Sequence, residues 1–499
     1  MTTIQQPLFV GSYGPDPAGW NMALPNSQFG SGTSQSNSAD DLSNSPFTQM
    51  PIPNWYWSSS GGTNNYLGSG GFRDGVLIPD FRYTNASTGR IFAMNSSAKG
   101  SNSGNNTYQN TYSEMAGMIS TDGGDTYTQS GISMPTQTIQ NFNGSDATAN
   151  DWATNGDAAN PIWIIVAGFY PYSDTNQSGS SNLQIYRSTN LTTWTRVVVP
   201  ADRTNFASAP SHRINQFIQG ITWSVDRFVI YEGRSGAVAW SSTGLANSWS
   251  SWYMPTSGTA YWNGGGQTWE SIHSNNGGSK ILLVNRASSG NSPHIRSFYS
   301  SDKGQTWTSG AVIGSDNSYY RWNHINYFDG TVNVGNTSVG PGVWVVTGGR
   351  YGLGYQGRGN YEELIAYSTN GTSWTEIDVQ NDMTPAELYQ GNYGKFSKIV
   401  DTGRGKFIMT KGSYGTPNNY STYQQKWYMS NNSLADWTKF SDTPWTGTDG
   451  SINNTGGLSH EAQKAWFFYN DRIYVGGGDG AGGAVMQDCY GRVAYHKFL

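Results

Sequence analysis

The stretch Ser300-Ser-Asp302-Lys-Gly304-Gln-Thr306-Trp307 decides the fold, because a turn of this kind occurs six times along the chain. The short carboxylate of Asp302 is suited to accept hydrogen bonds from backbone amides a few residues further on, which closes an Asx-type turn. Gly304 supplies the positive φ that such a turn needs. Trp307 returns the chain to strand geometry and gives the turn a large apolar anchor. We call this element the locked turn and interpret its polar residues as structural.

The other five locked turns are shorter or altered copies. Counted with Ser300, their first serines follow one another at intervals of 53 to 68 residues. The copies are Ser120-Thr-Asp122-Gly-Gly124-Asp-Thr126-Tyr127, Ser188-Thr-Asn190-Leu-Thr-Thr-Trp194, Ser241-Ser-Thr-Gly244-Leu-Ala-Asn-Ser-Trp249, Ser368-Thr-Asn370-Gly371-Thr-Ser-Trp374 and Ser430-Asn-Asn432-Ser-Leu-Ala-Asp-Trp437.

A second repeat, of short apolar strands, alternates with the first. These strands begin at Arg90, Trp163, Arg227, Lys280, Val343, Lys406 and Arg472. Together the repeats define a unit of strand, tight turn, apolar strand, long loop, strand, locked turn and strand, which occurs seven times. Four-stranded units repeated radially are typical of β-propellers. The sequence therefore predicts an all-β fold, a β-propeller of four-stranded blades. It has seven blades, or six if the last unit is an extra hairpin.

The N-terminal segment differs from the rest of the chain. Residues 1–75 lack the repeat, contain no Lys or Arg before Arg73, and are rich in Ser, Asn, Gly and Pro with aromatic islands such as Trp55-Tyr56-Trp57. We predict an irregular arm over 1–75 and a propeller over 76–499. Because ring closure removes exposed sheet edges, we also expect a strand near Leu77 to pair with the C-terminal strand over 492–498.

The pattern S-x-D-x-G-x-T-W resembles the Asp-box, or BNR repeat, of the sialidase-like β-propellers, and the resemblance covers about residues 77–499. That family includes sialidases, xyloglucanases, sortilin-like receptors and many phage and bacterial surface proteins. The resemblance therefore implies the fold and leaves the activity open. In that family the Asp-box lies on the face away from the active site, which implies that the opposite loops carry the function.

The sequence contains no recognisable catalytic motif. Sialidase chemistry implies three arginines around a carboxylate, and the family's first arginine sits in a Phe-Arg-Ile-Pro motif that Phe72-Arg73-Asp74-Gly75 does not match. A triad among the other loop arginines stays open. The six histidines show no metal-ligand spacing, so we expect no metal and no cofactor. The loop arginines are Arg286, Arg296, Arg321, Arg350 and Arg358.

Aromatic residues on the predicted loops are the candidate binding residues. Flat rings beside polar side chains suit the C–H faces of sugars and also suit protein interfaces. We assign binding to Tyr170, Tyr172, Tyr319, Tyr320, Arg321, Trp322, Tyr351, Tyr355 and Arg358.

Composition limits the remaining possibilities. The 499 residues include 28 basic and 33 acidic ones, for a net charge of −5, and 14% of them are aromatic. Without a basic stripe we expect no nucleic-acid partner. With one cysteine, Cys489, there is no internal disulfide, and no stretch of the sequence is apolar enough to insert into a membrane. No secretory signal is recognisable at the N-terminus.

This low-charge composition, rich in Gly, Ser, Asn, Thr and aromatic residues, resembles that of phage virion and tail proteins. We therefore predict a virion structural or adhesion protein, assembled in the host cytoplasm. The propeller would be presented to a host-surface glycan, and the arm would bind other virion proteins. The sequence favours a non-enzymatic role. The alternatives are a sialidase-like glycoside hydrolase acting on surface polysaccharide and an assembly scaffold without a ligand.

Overall fold

The computed structural model of the chain is almost entirely β. Its described part contains thirty strands and one short 3-10 helix, Ala246–Ser248, and no helix there has the length and apolar character needed to cross a membrane. The described residues are 47–49, 56–57, 65–66, 76–99, 112–134, 147–169, 184–199, 218–232, 237–250, 268–286, 296–313, 319–352, 360–379, 396–413, 424–442, 466–469, 472–478 and 491–497, without 86, 129, 276, 378, 403 and 404.

Three short strands precede the first three units. The short strands are β1 (Phe47–Gln49), β2 (Tyr56–Trp57) and β3 (Asn65–Tyr66). Unit 1 contains β4 (Val76–Pro79), β5 (Ile91–Lys99) and β6 (Tyr112–Ser120). Unit 2 contains β7 (Ala147–Thr154), β8 (Trp163–Phe169), β9 (Gln184–Ser188) and β10 (Trp194–Val198). Unit 3 contains β11 (Ile218–Ser224), β12 (Arg227–Glu232) and β13 (Val238–Ser241).

Four further units follow. Unit 4 contains β14 (Thr268–Ser274), β15 (Ile281–Arg286), β16 (Arg296–Ser300) and β17 (Thr308–Val312). Unit 5 contains β18 (Tyr319–Phe328), an inserted hairpin of β19 (Val332–Val334) and β20 (Thr337–Val339), then β21 (Val343–Gly352), β22 (Asn360–Ser368) and β23 (Thr375–Ile377). Unit 6 contains β24 (Phe396–Asp401), β25 (Phe407–Ser413), β26 (Gln424–Ser430) and β27 (Thr438–Asp442). Unit 7 contains β28 (Trp466–Tyr469), β29 (Arg472–Gly478) and β30 (Gly491–Lys497).

Within each unit the strands pair antiparallel in chain order, as the repeat predicts. Units 4 and 5 share one sheet, because Arg286 at the end of β15 pairs with Arg321 of β18. Among the described residues the seven units therefore form six sheets of three or more strands. The prediction of an all-β propeller of four-stranded units is confirmed. Counted as hydrogen-bonded sheets, the blades number six, the smaller of the two predicted values.

The second strand of each unit contains a short apolar run whose two faces are both covered, which is the pattern of a strand in the middle of stacked layers. In β12, Phe228 and Ile230 pack in a cluster with Ile164 of unit 2. The alternate residue Val229 packs with Ile281 of unit 4. The core therefore lies between units, and each unit is stabilised by its two neighbours.

Locked turns reinforce this stacking at one end of the sheets. Four of the six locked turns contain a glycine, and each of these lies so close to the second strand of the preceding unit that a Cβ atom would collide with it or crowd it. These glycines are Gly124, Gly244, Gly304 and Gly371. Such a Cβ would lie 2.4 Å from the Ile164 side chain at Gly244 and 3.0 Å from Val229 at Gly304. Gly124 of unit 1 lies in the same way on Tyr474 of unit 7, so the units close into a ring.

The last unit closes differently from the prediction. β30 pairs with β29 and with β1, with Phe47 opposite His496, whereas the strand near Leu77 pairs with β5. The predicted pairing of that strand with residues 492–498 is therefore wrong. In units 2, 4, 5 and 6 a locked turn leads directly to the fourth strand. Here a segment from the N-terminal arm takes the fourth position of the sheet.

Side chains of unit 7 hold the junction with unit 1. Arg472 and Tyr474 both donate hydrogen bonds to the carbonyl oxygen of Gly123 in the first locked turn, and the Tyr474 bond is 2.7 Å long. On the neighbouring strand, the Tyr469 hydroxyl donates to the Asp80 carbonyl at 2.7 Å. The junction is therefore formed by buried hydrogen bonds between the two ends of the propeller.

We expect Arg472→Met to destabilise the ring. The Arg472 side chain is 6% exposed and lies 3.6 Å from the Asp125 carboxylate, so its loss leaves a buried carbonyl with one donor fewer. A buried charge-assisted hydrogen bond contributes about 2 kcal/mol to the free energy of unfolding. Guanidinium unfolding monitored by tryptophan fluorescence should show a lower midpoint for this variant. The control is Arg196→Met, at an exposed position of β10. Equal midpoints for the two variants would contradict the role of Arg472.

Candidate functional site

The topology gives the ring two different faces. In units 1 to 6, the turn between the first two strands and the locked turn lie at the same end of the sheet. We call this end the locked-turn face. The segments after the second strands and the connections between units leave from the opposite end, which we call the loop face.

Asp302 acts as the hydrogen-bond acceptor at the centre of its locked turn. Its Oδ1 accepts from Ser300 Oγ at 2.7 Å and from the Thr306 amide at 2.8 Å, and its Oδ2 accepts from Thr306 Oγ1 at 2.5 Å. Ser300 Oγ in turn accepts from the Gly304 amide at 2.7 Å, and the Trp307 indole N–H donates to the Gly304 carbonyl at 3.0 Å. The carboxylate is therefore engaged within its own turn.

The turn that contains Asp122 has the same bonds. Asp122 accepts from Ser120 Oγ at 2.7 Å and from the amide and hydroxyl of Thr126 at 2.9 and 2.6 Å. The Gly124 amide donates to Ser120 Oγ at 2.7 Å. The two clearest copies thus share one geometry.

Asparagine replaces the aspartate in two shorter turns. Asn370 Oδ1 accepts from the amides of Thr372 and Ser373, both at 2.8 Å, and the Gly371 amide donates to Ser368 Oγ at 2.7 Å. Trp374 packs against the neighbouring core cluster. The corresponding bonds of the other turn join Ser188, Asn190, Leu191, Thr192, Thr193 and Trp194.

The turn that begins at Ser430 departs from this pattern. Ser433 Oγ donates to Asp436 Oδ2 at 2.6 Å and accepts from the Asp436 amide. The Ser433 hydroxyl is therefore the acceptor for a backbone amide of the turn, the role that the sequence pattern predicts for Asn432. Asn432 instead donates to the Thr331 carbonyl of the inserted hairpin at 3.2 Å. The interpretation of Asn432 as the acceptor of its own turn is therefore wrong. The buried Trp437 still closes the turn.

The bonds of Asp302 change its acidity. Burial opposes ionisation, but hydrogen bonds from Thr306, Ser300 and Gln305 outweigh it and lower the pKa of the carboxyl below its ordinary value. The pKa of Asp122 is lowered for the same reasons, with Thr126 and Ser120 as the donors. A carboxylate held ionised by its own turn has no proton to donate to a substrate at neutral pH. The aspartates of these two locked turns therefore contribute to stability and are not suited to act as general acids.

The loop face brings together four of the predicted binding residues. Tyr319, Tyr320 and Arg321 begin β18, and Tyr351 lies at the end of β21. The register places Tyr319 opposite Tyr351 and Arg321 opposite Gly349. The predicted residues from two distant parts of the sequence are therefore neighbours across two adjacent strands.

Arginines gather at the same end of the shared sheet. Arg286 is the direct partner of Arg321 across the junction of units 4 and 5. Arg350 directly precedes Tyr351 in β21. It pairs with Tyr320 of β18 on one flanking strand and with Glu362 of β22 on the other. We call the set Arg286, Tyr319, Tyr320, Arg321, Arg350 and Tyr351 the arginine–tyrosine corner. The clustering of these residues follows from strand register, which the sequence alone did not provide.

Trp322 does not belong to this surface. Its side chain is fully buried, packs in a core cluster with Leu282 and Leu364, and donates from its indole nitrogen to the Ile313 carbonyl at 3.1 Å. The prediction of Trp322 as a ligand-binding residue is therefore wrong, because a buried indole with its donor in use cannot reach a ligand. Four other predicted binding residues, Tyr170, Tyr172, Tyr355 and Arg358, lie outside the described residues.

Metal chemistry finds no support in the described part of the chain. There, no three His, Cys, Asp or Glu side chains are grouped so that they could hold a metal ion. His273, on the inner strand β14, is buried, and this burial lowers its pKa to about 3, so the ring is neutral at physiological pH. The T-shaped contact between His273 and Trp344 is a packing contact between units 4 and 5.

We expect Asp302→Asn to reduce stability and to flatten its pH dependence. The lowered pKa of Asp302 means that its stabilising contribution is complete above the ordinary aspartate pKa, about 3.9, and is lost as the pH falls through the folded-state value. At pH 7 the variant should lose about 1 kcal/mol in the free energy of unfolding. Urea unfolding between pH 2.5 and 7 is the measurement, with the reciprocal variant Asn370→Asp as control. A variant whose pH dependence matches that of the wild type would contradict the role of the carboxylate.

Comparisons with known proteins give similarity to solved structures alone. No protein-family model and no curated protein matches the chain. The chain is similar to a Trypanosoma rangeli sialidase in complex with sialic acid, with 12% identity and a TM-score of 0.43 over 90% of this chain and 58% of that one. For a GH74 xyloglucanase from Xanthomonas campestris the sequence identity is 13% and the TM-score is 0.43, over 88% of this chain and 55% of the xyloglucanase chain.

For the α-L-arabinofuranosidase Arb93A from Fusarium graminearum the sequence identity is 11% and the TM-score is 0.41, over 90% of this chain and 96% of the arabinofuranosidase chain. The chain spans less than two thirds of the length of the first two structures. At these values the similarity identifies no family and assigns no activity.

Proposed function

We propose that the protein binds an acidic polysaccharide at the arginine–tyrosine corner of the loop face. The observation that supports this most is the direct pairing of Arg286 with Arg321. Like charges placed directly opposite each other destabilise a pair of strands. An anion bound between them removes that repulsion, and the guanidinium fork matches a carboxylate in a bidentate manner.

The residues around the two arginines are suited to a ligand in which the anionic group is part of a sugar. Tyr319 and Tyr351 are opposite each other, one step of the ladder pairs Tyr320 with Arg350, and the next pairs Arg321 with Gly349. Aromatic rings bind the apolar faces of sugars, while hydroxyl and guanidinium groups bind their oxygens. A corner that combines both is better suited to an acidic sugar than to a simple inorganic anion.

A second candidate function is hydrolysis of that polysaccharide. It is favoured by three carboxylates at the same end of the shared sheet: Glu362 lies opposite Arg350, Glu363 opposite Gly349, and Glu270 on β14 next to the strand of Arg286. Glycoside hydrolases use two carboxylates about 5–10 Å apart. We place binding first because the direct pairing of Arg286 with Arg321 supports it, whereas Glu362 lies directly opposite Arg350 and is suited to pair with that arginine.

We further propose, from composition alone, that this binding serves attachment on a virion, with residues 1–75 as the tether to other virion proteins. Low charge and abundant Gly, Ser, Asn, Thr and aromatic residues support this setting. An acidic host-surface polysaccharide would then be the natural partner of the corner. Assembly without any ligand is the alternative that the binding experiment tests.

Binding to immobilised polygalacturonate, alginate, hyaluronate and polysialic acid, with dextran and mannan as neutral polymers, tests the proposal. We expect micromolar binding to at least one acidic polymer and none to the neutral ones. Arg321→Ala and Arg286→Ala should each weaken it about tenfold, as expected for the loss of a charge-assisted hydrogen bond. The matched control is Arg196→Ala, an exposed arginine of unit 2.

The same samples distinguish the candidate functions. Release of reducing ends from the bound polymer would favour hydrolysis over attachment. Absence of binding to all four acidic polymers, or equal effects of the corner variants and of Arg196→Ala, would contradict the proposal.

A further inference from the structure

A group of charged and aromatic side chains lies on the locked-turn face of unit 1, in the connection between β4 and β5. The Asp80 side chain is fully buried, and Arg82 binds it as a fork, with Nε 2.8 Å from Oδ1 and Nη2 2.7 Å from Oδ2. The Arg82 guanidinium also lies over the Trp163 ring, 5.1 Å from its centroid. Asp80 therefore has a complete bidentate partner in Arg82.

Arg90, the second arginine of this group, has weaker contacts. Its Nη1 lies 3.6 Å from Asp80 Oδ2, too far for a hydrogen bond, and donates to the Tyr83 hydroxyl at a long 3.4 Å. The guanidinium lies over the Tyr83 ring, 5.3 Å from its centroid. Its Nε is buried and has no acceptor among the described residues. Arg90 thus shares a carboxylate that Arg82 already occupies.

The contacts of Arg90 differ from those of the structural cations in the ring. Lys280 and Arg472 stand, like Arg90, at or directly before the start of a second strand. Each of those two donates to a backbone carbonyl in the locked turn of the next unit. The bonds of Arg90 run instead to Tyr83 and Asp80 in its own connection. The stacking of unit 1 on unit 2 therefore does not use this guanidinium.

The group is accessible from solvent. The side chains of Arg82 and Arg90 are 27% and 19% exposed, and Tyr83 is 38% exposed. A guanidinium with donors to spare forms strong charge-assisted hydrogen bonds with a carboxylate. Arg90 is therefore suited to bind an acidic group at the surface.

The acidic residues beside the group already have partners. The first locked turn lies next to it, because the Gly123 amide donates to the Gly89 carbonyl at 2.8 Å. Asp122 of that turn accepts hydrogen bonds within the turn, and Asp125 lies 3.6 Å from Arg472. A carboxylate for the second arginine is therefore to be sought in another part of the chain.

The N-terminal arm leaves the ring close to this group. β1 and β30 are antiparallel, with Phe47 opposite His496, and His496 lies opposite Ile473 at the start of β29. The residues before Phe47 therefore continue from the locked-turn end of unit 7, about 10 Å from β29 across two strand spacings. Unit 7 contacts unit 1 at this same end, through Arg472 and the first locked turn.

The arm also has the complementary charge. Residues 1–72 contain three acidic residues and no Lys or Arg, and two of the three are the adjacent Asp40 and Asp41. Asp41 lies six residues before Phe47, and six extended residues span at most about 20 Å. This reach is sufficient to bring a carboxylate from the exit point in unit 7 to Arg90 in the neighbouring unit.

We propose that the segment around Asp40 and Asp41 docks on the locked-turn face of unit 1 and pairs a carboxylate with Arg90. This docking is independent of polysaccharide binding at the arginine–tyrosine corner. It holds the start of the tether on the face opposite to the corner, so that the loop face stays free for a ligand.

Limited chymotrypsin digestion of the full chain, followed by mass spectrometry, tests the docking. Cleavage after Leu42 reports on the docked segment, and cleavage after Phe29 is a control within the same molecule. Because cleavage follows the population of the open form, Arg90→Gln should speed cleavage after Leu42 about three- to fivefold, the effect of losing a partly exposed ion pair. Cleavage after Phe29 should not change. Arg196→Gln, at an exposed position of β10, is the matched control.

A double-mutant cycle identifies the partner of Arg90. If the pair forms, Arg90→Gln should have no further effect on cleavage after Leu42 in a chain that carries Asp40→Asn and Asp41→Asn. High salt should reproduce the effect of Arg90→Gln in the wild type, since it screens an exposed pair. The melting temperature of Arg90→Gln should stay close to that of wild type, because Arg82 keeps its fork on Asp80.

Three results would overturn the docking. An unchanged rate after Leu42 in Arg90→Gln, or equal effects of Arg90→Gln with and without the two aspartates, would show that the pair does not form. Faster cleavage at every site with a lowered melting temperature would show a structural role for Arg90. Protection that increases with protein concentration would mean that a neighbouring copy supplies the acid. None of these results bears on polysaccharide binding, which is measured separately.

Discussion

The ring depends on one close contact, repeated between units: the glycine of a locked turn against the apolar second strand of the unit before it. A Cβ atom would collide with Ile164 at Gly244 and with Tyr474 at Gly124, and it would crowd Val229 at Gly304. Each of these glycines also has a positive φ, from 70° to 95°, so two independent restrictions favour the same residue. Through this contact, a turn that the local sequence specifies also determines how one unit stacks on the next.

Cations reinforce the stacking of the units at three junctions. Lys280, the residue before β15, donates from Nζ to the Asn370 carbonyl of the next locked turn at 2.5 Å, and Arg187 donates to the Thr243 carbonyl at 2.8 Å. Arg472 makes the corresponding bond to Gly123. Partial burial lowers the pKa of Lys280, as expected for an ammonium drawn out of water to reach a carbonyl. Lys280 and Arg472, at the starts of two second strands, and Arg187, on a third strand, therefore have a structural role between units.

Local interactions explain why the locked turns were predictable. The bonds of Asp302 span two to four residues, so a pattern of eight letters contains all the chemistry that forms them. Ring closure and the bulges depend on which strand lies beside which, and no local pattern encodes that. Trp322 shows the difference: it directly follows Arg321 of the corner in the sequence, yet its side chain lies in the core. The prediction for Asn432 was wrong for a related reason: the hydroxyl of the next residue, Ser433, makes the hydrogen bonds of the turn instead.

The two faces of the ring differ in how regular their structure is, and this difference is relevant to function. At the locked-turn face, polar groups of the Asp302 turn are satisfied by partners within the same turn. Toward the loop face, inner strands are interrupted by bulges and two arginines stand opposite each other. Proteins that break local rules at a few places do so mostly where they bind something, and the rest of the fold supplies the stability. The locked turns fix one end of the sheets in units 1 to 6, and the bulges and the pairing of Arg286 with Arg321 lie toward the other end.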